Sequence, residues 1–322
     1  MPFIKPPYTI TSDILTLLSN VSEKIGEINA VQLNRPPAEL RKSNRIKTIQ
    51  SSLSIEGNTM TEEQITALIN NKRVLAPQKD ILEVKNAIEV YDMLHHFKPF
   101  KIKSLLEAHK ILMNGLILNA GKFRTGNVGI VKGSKITHVA PQGNMVNGLL
   151  SNLLDYVRYD EDPILIKSCV FHYEFEFIHP FADGNGRIGR LWQTLLLMNK
   201  HLVFEYLPVE SIIKTEQNKY YEALNKSDRL GHSTPFIIFM LESILKALNS
   251  LYQIPNISLL EEDRIAIFKE AIGKKPFTRK DYLQYFKTIS AATASRDLKS
   301  ATEKGILNKI GDKRLSSYTF VQ

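Results

Sequence analysis

Apolar residues recur at helical spacing along most of this chain. Near the N-terminus, six aliphatic residues form one stripe of a predicted helix, which Thr11 or Ser12 would cap and which runs to about residue 30: Ile14, Leu17, Leu18, Val21, Ile25 and Ile28. After two consecutive prolines a second helix ends near Glu56, and residues 62–120 carry two or three more, separated at prolines. This part of the chain is therefore predicted to be helical.

Residues 127–140 break the helical pattern. The tetrapeptide Lys132-Gly133-Ser134-Lys135 is flanked on both sides by β-branched residues: Val128, Ile130, Val131, Ile136, Thr137 and Val139. The pattern predicts a short β-hairpin. Taken alone, such a hairpin could be a surface ribbon without a function.

The remainder of the chain up to about residue 252 returns to helical spacing. Helices are predicted over five stretches: 144–158, 163–178, 186–198, 209–228 and 234–251. Asp162, directly before Pro163, is the expected N-cap of the second of these helices. The last helix is strongly apolar but contains Glu242 and Lys246, so we interpret it as a packed helix and not as a membrane span.

Residues 257–322 form a predicted separate module. A helix ending near residue 272 is followed by the segments FTRKDYLQYF and SAATASRDLKSATEKGIL and by two strands around Gly311 and Asp312, an order that resembles a winged helix-turn-helix. Winged folds bind DNA or dock proteins, so both kinds of partner remain open. Four basic residues would face DNA phosphates: Arg296, Lys299, Lys313 and Arg314.

Composition places the chain among ordinary globular proteins. The residues are 43% hydrophobic and 23% charged. A length of 322 residues is enough for about two domains with a buried core. The single cysteine, Cys169, excludes a disulfide within the chain. The sequence MPFIKPPYTI lacks the features of a secretory signal, so we expect a cytoplasmic protein with no membrane partner. The net charge of +9 would suit an acidic partner or simply form a solvated face.

The stretch HPFADGNGRIGR, residues 179–190, concentrates groups that suit phosphate chemistry. His179 can take up a proton near neutral pH, and Asp183 offers the hard oxygen ligands that Mg²⁺ prefers. The remaining polar positions let backbone N–H groups approach an anion or supply positive charge to phosphate oxygens: Gly184, Gly186, Arg187 and Arg190. Without further information, these residues indicate a Mg²⁺-dependent phosphate site. A solvated turn with surface arginines is the alternative.

This stretch resembles the Fic family motif, His-x-Phe-x-Asp/Glu-Gly-Asn-Gly-Arg-x-x-Arg, at every specified position: His179, Phe181, Asp183, Gly184, Asn185, Gly186, Arg187 and Arg190. A chance match at eight specified positions has odds on the order of 10⁻⁸ for a chain of this length. The resemblance implies a mainly α fold, a helical bundle with a small β-hairpin flap. It also implies a protein adenylyltransferase, which transfers AMP from ATP to a Ser, Thr or Tyr hydroxyl of a target protein.

The resemblance also implies the roles of single residues. His179 would remove the proton of the attacking hydroxyl, and Asp183 would hold Mg²⁺. Asn185 and the amides of Gly184 and Gly186 would stabilise the α-phosphate, while Arg187 and Arg190 would position the β- and γ-phosphates. Three residues of a later helix would line the base pocket, although plain packing is an alternative for them: Tyr220, Tyr221 and Asn225.

A second stretch, SSLSIEGNTMTEEQ at residues 51–64, resembles the inhibitory motif of regulated Fic proteins, with Ser52, Glu56 and Gly57 at the matching positions. The resemblance implies that the Glu56 carboxylate occupies Arg190, which the γ-phosphate needs. The alternative is an ordinary corner between two helices. In that corner Gly57 would adopt the left-handed conformation, and a Ser/Thr-x-x-Gln capping box would open the next helix.

The resemblance covers most of the chain and implies three regions: an N-terminal regulatory region (1–104), a Fic core (105–252) and the winged module (257–322). The hairpin near residues 127–140 would be a flap that pairs with an extended segment of the target protein. A homodimer is possible. Three alternatives remain: a hydrolase that removes AMP with a water oriented by Glu56, a DNA-binding regulator with a Fic sensor core, and transfer of another group such as phosphocholine or UMP.

Overall fold

The computed structural model describes residues 3–30, 38–132, 135–252, 261–273, 275–286, 289–311 and 316–321. Eleven α-helices precede residue 253 in the described chain: α1 Ser12–Ala30, α2 Ala38–Ile55, α3 Glu62–Ile69, α4 Gln78–Asp92, α5 Ile102–Leu112, α6 Val146–Tyr159, α7 Ile164–Ile178, α8 Asn185–Met198, α9 Val209–Thr215, α10 Gln217–Leu230 and α11 Thr234–Tyr252. Strands β1 Gly129–Lys132 and β2 Lys135–Val139 lie between α5 and α6. The predicted mainly α fold with one small hairpin is confirmed.

Two compact units divide the chain. The first contains Met1–Gly26 and Ser43–Gln253, and the second contains Glu27–Lys42 and Ile254–Gln322. Most of the predicted regulatory region therefore belongs to the same compact unit as the predicted core, and the predicted border at residue 104 lies inside that unit, whereas residues 27–42 belong to the second unit.

Helix α7 is the centre of the first unit. It packs against α6, α8 and α11. Apolar residues occupy most of its circumference, and Cys169, Val170, Phe171 and Phe175 are fully buried. A helix that is apolar all round must be surrounded by other elements. Because α7 and the apolar face of α8 are buried, the ends of both helices are held in place. The position of the connecting loop, residues 179–184, is therefore fixed.

The predicted N-cap of α7 is wrong. Pro163 occupies the N-cap position, and the helix start has no side-chain cap. The Asp162 carboxylate instead accepts hydrogen bonds from Lys5 Nζ, at 2.6 Å, and from the Tyr8 hydroxyl. The charge of Lys5 explains this choice, because charge-assisted hydrogen bonds are stronger than bonds to a backbone N–H.

The helix predicted over residues 209–228 is two helices, α9 and α10. They are separated at Glu216, whose backbone leaves the helical region at φ −107° and ψ 33°. The Glu216 carboxylate accepts hydrogen bonds from Lys246 Nζ at 2.8 Å through both oxygens. The apolar spacing was continuous, so the sequence pattern could not reveal this break.

Strands β1 and β2 form an antiparallel hairpin, with Gly129 opposite Val139 and Lys132 opposite Lys135. The register is irregular between Ile130 and Val131. The hairpin is thus confirmed as structure.

The most apolar helix is mostly buried. Within the described residues, only the window Thr234–Leu251 is long and apolar enough to cross a membrane, by length and composition alone. However, 61% of that window is buried inside the fold, where α11 packs on α7, α9 and α10. The interpretation as a packed helix agrees with this burial.

The described residues of the second unit after position 254 form three helices and a three-stranded sheet: α12 Glu261–Ile272, β3 Phe277–Thr278, α13 Arg279–Tyr285, α14 Ala291–Glu303, β4 Leu307–Ile310 and β5 Ser317–Phe320. The strand order is β3-β5-β4. Inside this unit, Arg264 pairs with the buried Asp297 at 2.6 and 2.8 Å, and the Tyr282 hydroxyl donates to the same carboxylate. Lys313 and Arg314 lie outside the described residues. The winged interpretation stays a prediction.

Candidate active site

The backbone between α7 and α8 turns sharply at two left-handed residues. His179 ends α7 with φ 49° and ψ 62°, and its N–H donates to the Phe175 carbonyl at 3.0 Å. Gly184, with φ 83°, precedes α8, and a Cβ at this position would lie 2.7 Å from the Met113 sulfur. Only glycine therefore fits residue 184 without strain or a clash.

Asn185 holds this loop closed. Its side-chain amide donates to the Phe181 carbonyl and accepts from the Phe181 N–H, each at 2.9 Å. The residue is buried. Both groups of the amide are thus used inside the loop, so Asn185 fixes the shape of the loop through its side chain.

His109 supports the loop from the side of α5. It is fully buried, and its ring stacks on Phe181 with the ring centroids 3.6 Å apart. Its Nδ1 accepts from the Gly121 N–H at 2.8 Å, so the proton resides on Nε2, which donates to the Asp183 carbonyl at 3.0 Å. Burial lowers the pKa of His109 to about 4, so the imidazole is neutral. His109 therefore supports the loop by packing and by two hydrogen bonds.

Arg124 is a structural support that sequence reasoning missed. Its buried guanidinium donates to four backbone carbonyls, on Gly126, Pro141, Ile178 and His179, at 2.6–3.0 Å. The carbonyls of Ile178 and His179 are at the C-terminal end of α7. Those of Gly126 and Pro141 lie before and after the hairpin. One side chain therefore fixes both segments. The sequence gives no local sign of this, because every partner is a backbone group.

A cavity of about 380 Å³ opens beside the loop. The motif contributes seven of its lining residues: His179, Ala182, Asp183, Gly184, Asn185, Gly186 and Arg190. Helices α7 and α10 and the end of α2 supply the others: Glu56, Tyr173, Glu176, Phe177, Tyr220, Tyr221, Leu224, Asn225 and Asp228. The three residues expected in the base pocket are thus at the cavity. The volume is in the range typical of small-ligand sites.

Tyr220 is fixed from behind by His172. The Tyr220 hydroxyl donates to His172 Nε2 at 3.1 Å, while His172 Nδ1 donates to the side-chain oxygen of Gln193, Oε1, at 2.7 Å. Burial lowers the pKa of His172 to about 3, so this imidazole is also neutral. These bonds connect α7, α8 and α10 behind the cavity wall.

Arg190 is buried and is bonded to the end of α2. Its Nε donates to Ser52 Oγ at 3.1 Å, and its NH2 group donates to the Ser52 carbonyl at 2.9 Å and to Glu56 Oε1 at 2.7 Å. Burial alone would lower the pKa of Arg190, but the Glu56 carboxylate raises it above the ordinary value. The guanidinium is therefore charged and paired with Glu56.

Two glycines permit this ion pair. Gly57 has φ 95°, which ends α2 and turns the chain directly after Glu56. A Cβ at Gly186 would clash with the Glu56 carboxylate and lie 3.1 Å from Arg190 NH1. The carboxylate therefore reaches the motif because residue 186 has no side chain.

Arg187 is held by two carboxylates. It is buried and does not line the cavity in the part of the chain described, and its predicted contact with phosphate stays a prediction. Its NH2 group donates to Asp183 Oδ1 at 2.9 Å, and its NH1 group donates to Glu83 Oε1 at 3.3 Å. Glu83 lies on α4, 104 residues earlier in the chain, and was not among the residues predicted from the sequence. Two carboxylates draw Arg187 away from the cavity.

The residues around Asp183 fit a magnesium ion held partly by substrate. The carboxylate is half exposed at the cavity, and Oδ1 accepts from the Gly184 N–H at 2.6 Å and from Arg187. Oδ2 makes no hydrogen bond to the described residues. A cluster of three or more potential metal ligands is not found among the described residues. Mg²⁺ is often held by one or two carboxylates together with phosphates, and one carboxylate at a phosphate-sized cavity suits that mode.

Similarity to known proteins agrees with this geometry. Residues 99–197 match the model of the Fic/DOC family. The structure of a Fic family protein from Desulfovibrio desulfuricans G20 superposes with a TM-score of 0.76 at 38% sequence identity, covering 99% of this chain and 98% of that chain. The chain belongs to the Fic/DOC family. Its family motif is the loop described above.

Curated Fic relatives are more distant and longer. Protein adenylyltransferase fic-1 of Caenorhabditis briggsae is 28% identical over 240 residues, which cover 70% of this chain and 44% of that protein. Protein adenylyltransferase Fic of Nematostella vectensis is 26% identical over 273 residues, which cover 80% and 61%. The chain thus spans about half the length of the curated Fic relatives it matches. The structure of Caenorhabditis elegans Fic-1 (22% identity, TM-score 0.62, 74% and 72% coverage) shares the fold.

Proposed function

We propose that this Fic protein transfers AMP from ATP to a hydroxyl group of a target protein. The main support is the single cavity onto which His179, Asp183, the Gly184–Gly186 backbone and Arg190 all open. A general base, a metal-binding carboxylate, an anion site and a cation are together what nucleotidyl transfer requires. The curated relatives carry the name protein adenylyltransferase, which agrees with the proposal.

The transfer begins at His179. Its imidazole takes the proton of the target hydroxyl as the oxygen attacks the α-phosphorus of ATP. The bond from the α-phosphorus to the oxygen bridging the β-phosphate breaks, and pyrophosphate leaves. The left-handed backbone of His179 and the hydrogen bond from Arg124 Nε to its carbonyl, at 2.6 Å, fix where the imidazole is presented.

The loop and the start of α8 receive the phosphates. Backbone N–H groups at a helix N-terminus bind anions well, so the amides of Asn185 and Gly186 stabilise the negative charge that develops on the α-phosphate, while the Gly184 N–H holds Asp183 Oδ1. Arg190 supplies the positive charge for the outer phosphates. Mg²⁺, when bound at Asp183, would neutralise phosphate charge.

The Glu56 carboxylate accepts a hydrogen bond from the Arg190 guanidinium at 2.7 Å. The carboxylate and a phosphate are both anions, and one guanidinium cannot pair fully with both. We therefore assign Glu56 as an inhibitor that forces ATP out of the productive position. Ser52 assists by accepting hydrogen bonds from Arg190, through its hydroxyl from Nε and through its carbonyl from the same NH2 group that donates to Glu56.

A second candidate function uses the same site. Glu56 and His179 both line the cavity, so a carboxylate and an imidazole are available to orient a water molecule. Such a protein would hydrolyse AMP from a modified target, and Glu56→Gly would abolish removal of AMP. Transfer of UMP or phosphocholine would show as a different added mass in mass spectrometry.

One labelling experiment tests the proposal. ATP labelled at the α-phosphate is supplied with Mg²⁺ and a cell lysate to the wild type, Glu56→Gly and His179→Ala/Glu56→Gly proteins. Label should enter protein with Glu56→Gly, and His179→Ala should prevent it. Lack of protein-bound label in all three proteins, together with release of AMP from a previously modified target by the wild type, would favour the hydrolase.

The hairpin and the second unit are proposed partner sites. The hairpin near residues 127–140 would pair with an extended segment of the target, since antiparallel strands can add another strand at a free edge.

On α14, Arg296 and Lys299 are exposed, which suits contacts to DNA phosphates or to an acidic protein. A mobility shift with DNA that weakens as salt rises, and that survives His179→Ala, would support DNA binding. Cytoplasmic location and a homodimer stay predictions.

A further inference from the structure

Glu83 connects the inhibitory turn to the motif. It is buried on α4, and each of its two oxygens has a different partner. Oε1 accepts from Arg187 NH1 at 3.3 Å, and Oε2 accepts from Asn58 Nδ2 at 2.8 Å. Asn58 is buried two residues after Glu56. A continuous series of polar contacts therefore runs from Asn58 through Glu83 and Arg187 to Asp183.

One guanidinium is shared by two carboxylates in this series. Arg187 carries one positive charge, whereas Glu83 and Asp183 together carry two negative charges; the ammonium of Lys79, 3.8 Å from Glu83 Oε1, is mostly exposed and is screened by water. Because Glu83 and Arg187 are both buried, their charges are poorly screened by water. Glu83 takes up part of the charge of Arg187, and Asp183 keeps net negative charge at the cavity wall.

We propose that Glu83 is a positioning residue for Asp183 and acts through Arg187. Glu83 holds the guanidinium in one orientation, and the guanidinium in turn fixes Oδ1 of Asp183, leaving the carboxylate able to bind a divalent cation together with the substrate phosphates. The proposal rests on the proposed function, because it assumes that Asp183 binds the cation that accompanies ATP.

The proposal separates two possible roles of Arg187. An arginine that touches phosphate directly would strengthen ATP binding with or without Mg²⁺. An arginine that orients the metal-binding carboxylate matters only when Mg²⁺ is present. The dependence of ATP affinity on Mg²⁺ therefore distinguishes the positioning role from a direct phosphate contact.

The experiment measures ATP affinity by calorimetry. The parent is the full chain carrying Glu56→Gly and His179→Ala, which removes the inhibitor and prevents turnover. In this parent Glu83→Gln should weaken ATP binding about tenfold in the presence of Mg²⁺, the size expected when one nearby buried charge is removed. It should leave ATP binding in EDTA unchanged. Glu83→Asp keeps the charge and should recover part of the Mg²⁺-dependent affinity.

Asp80 provides a matched control on the same helix. It is also buried, one turn before Glu83, but its carboxylate accepts from Thr59 N and Thr59 Oγ1, at 2.9 and 2.7 Å. Asp80→Asn removes a buried charge next to the same turn. It should leave the affinity for ATP with Mg²⁺ close to that of the parent.

Transfer kinetics give a second readout, in the Glu56→Gly protein with His179 intact. Glu83→Gln should raise the Mg²⁺ concentration needed for half-maximal rate, and saturating Mg²⁺ should restore most of kcat. If Glu83→Gln does not fold, the Mg²⁺-dependent ATP titration of Glu83→Asp still decides, because the shorter side chain should lower affinity relative to the parent.

Three results would overturn the inference. They are an unchanged affinity in all Glu83 variants, an equal loss of affinity in Mg²⁺ and in EDTA, and an equal loss in Asp80→Asn. If the parent binds ATP and the Glu83 variants bind it equally well, only this inference is refuted, and the proposed function stands. A parent that binds no ATP at all would refute the proposed function and this inference with it.

Discussion

The Glu56 carboxylate lies 2.7 Å from the guanidinium of Arg190, although the two residues are 134 positions apart in the chain. Arg190 is nearly fully buried, while about a third of the Glu56 side chain is exposed to solvent. The arginine is thus a fixed part of the motif. The glutamate is the partner that can leave, because its departure returns a carboxylate to water and leaves the Ser52 contacts of Arg190 in place.

Removal of the Glu56 carboxylate should activate transfer. We expect Glu56→Gly to raise the initial rate of AMP transfer at least about tenfold, since a charge-assisted pair with the outer-phosphate site is lost. The measurement is incorporation of α-phosphate label into protein. Glu62→Gly, the same replacement at an exposed glutamate, should leave the rate unchanged. Equal rates for Glu56→Gly and wild type would remove Glu56 as an inhibitor.

His179 should be needed for chemistry but not for ATP binding. In a Glu56→Gly background, His179→Ala should lower kcat by a factor on the order of 10² to 10⁴, the usual contribution of a general base. The Kd for ATP, measured by calorimetry, should change little. His201→Ala serves as a control outside the cavity lining. Persistent labelling in His179→Ala would show that another group removes the proton.

Arg124 should support both stability and activity. Arg124→Met leaves four carbonyl groups at the end of α7 and beside the hairpin without their donor, and we expect the free energy of unfolding to fall by about 3 kcal/mol. Urea denaturation measures this change. Arg158→Met, at an exposed position, should change stability by less than about 0.5 kcal/mol. Similar unfolding midpoints for the two variants would argue against the support role.

Acid should destabilise the fold through two buried histidines. Burial lowers the pKa of His109 to about 4 and that of His172 to about 3, whereas the ordinary value is 6.5. Between pH 6.5 and 4 the unfolded chain therefore binds more protons than the folded chain, and the free energy of unfolding falls as pH falls. Each histidine contributes up to about 1.4 kcal/mol per pH unit.

Urea unfolding from pH 8 to pH 4 measures this dependence. His109→Gln should be less stable than wild type at pH 8 but should lose less stability on acidification. His96→Gln, at an exposed histidine, should follow the wild-type pH profile. If the free energy of unfolding of His109→Gln falls with pH as steeply as that of the wild type, the assignment of this histidine as neutral and buried is contradicted.

The local sequence pattern was sufficient to predict the structure where the partners of a residue are near it in the chain. The helices, the hairpin and the turn at Gly184 follow from spacing and backbone preference within a few residues. Prediction failed where a distant charge competed with a local rule. Asp162 was expected to cap α7, but its carboxylate accepts a hydrogen bond from Lys5 instead. No local pattern indicated that Glu83 would hold Arg187, because the two residues are far apart in the chain.

The sequence by itself determined the chemical groups of the site and their order in the loop, because His179, Asp183, the two glycines and Arg190 lie within twelve positions. It also indicated Glu56 as a partner for Arg190. Only the tertiary structure decided which distant side chains hold those groups: Arg124 at the histidine, His109 under the loop and Glu83 behind Arg187. The physical reason is that burial brings charges and carbonyls together irrespective of their separation along the chain, and each buried polar group must then find a partner.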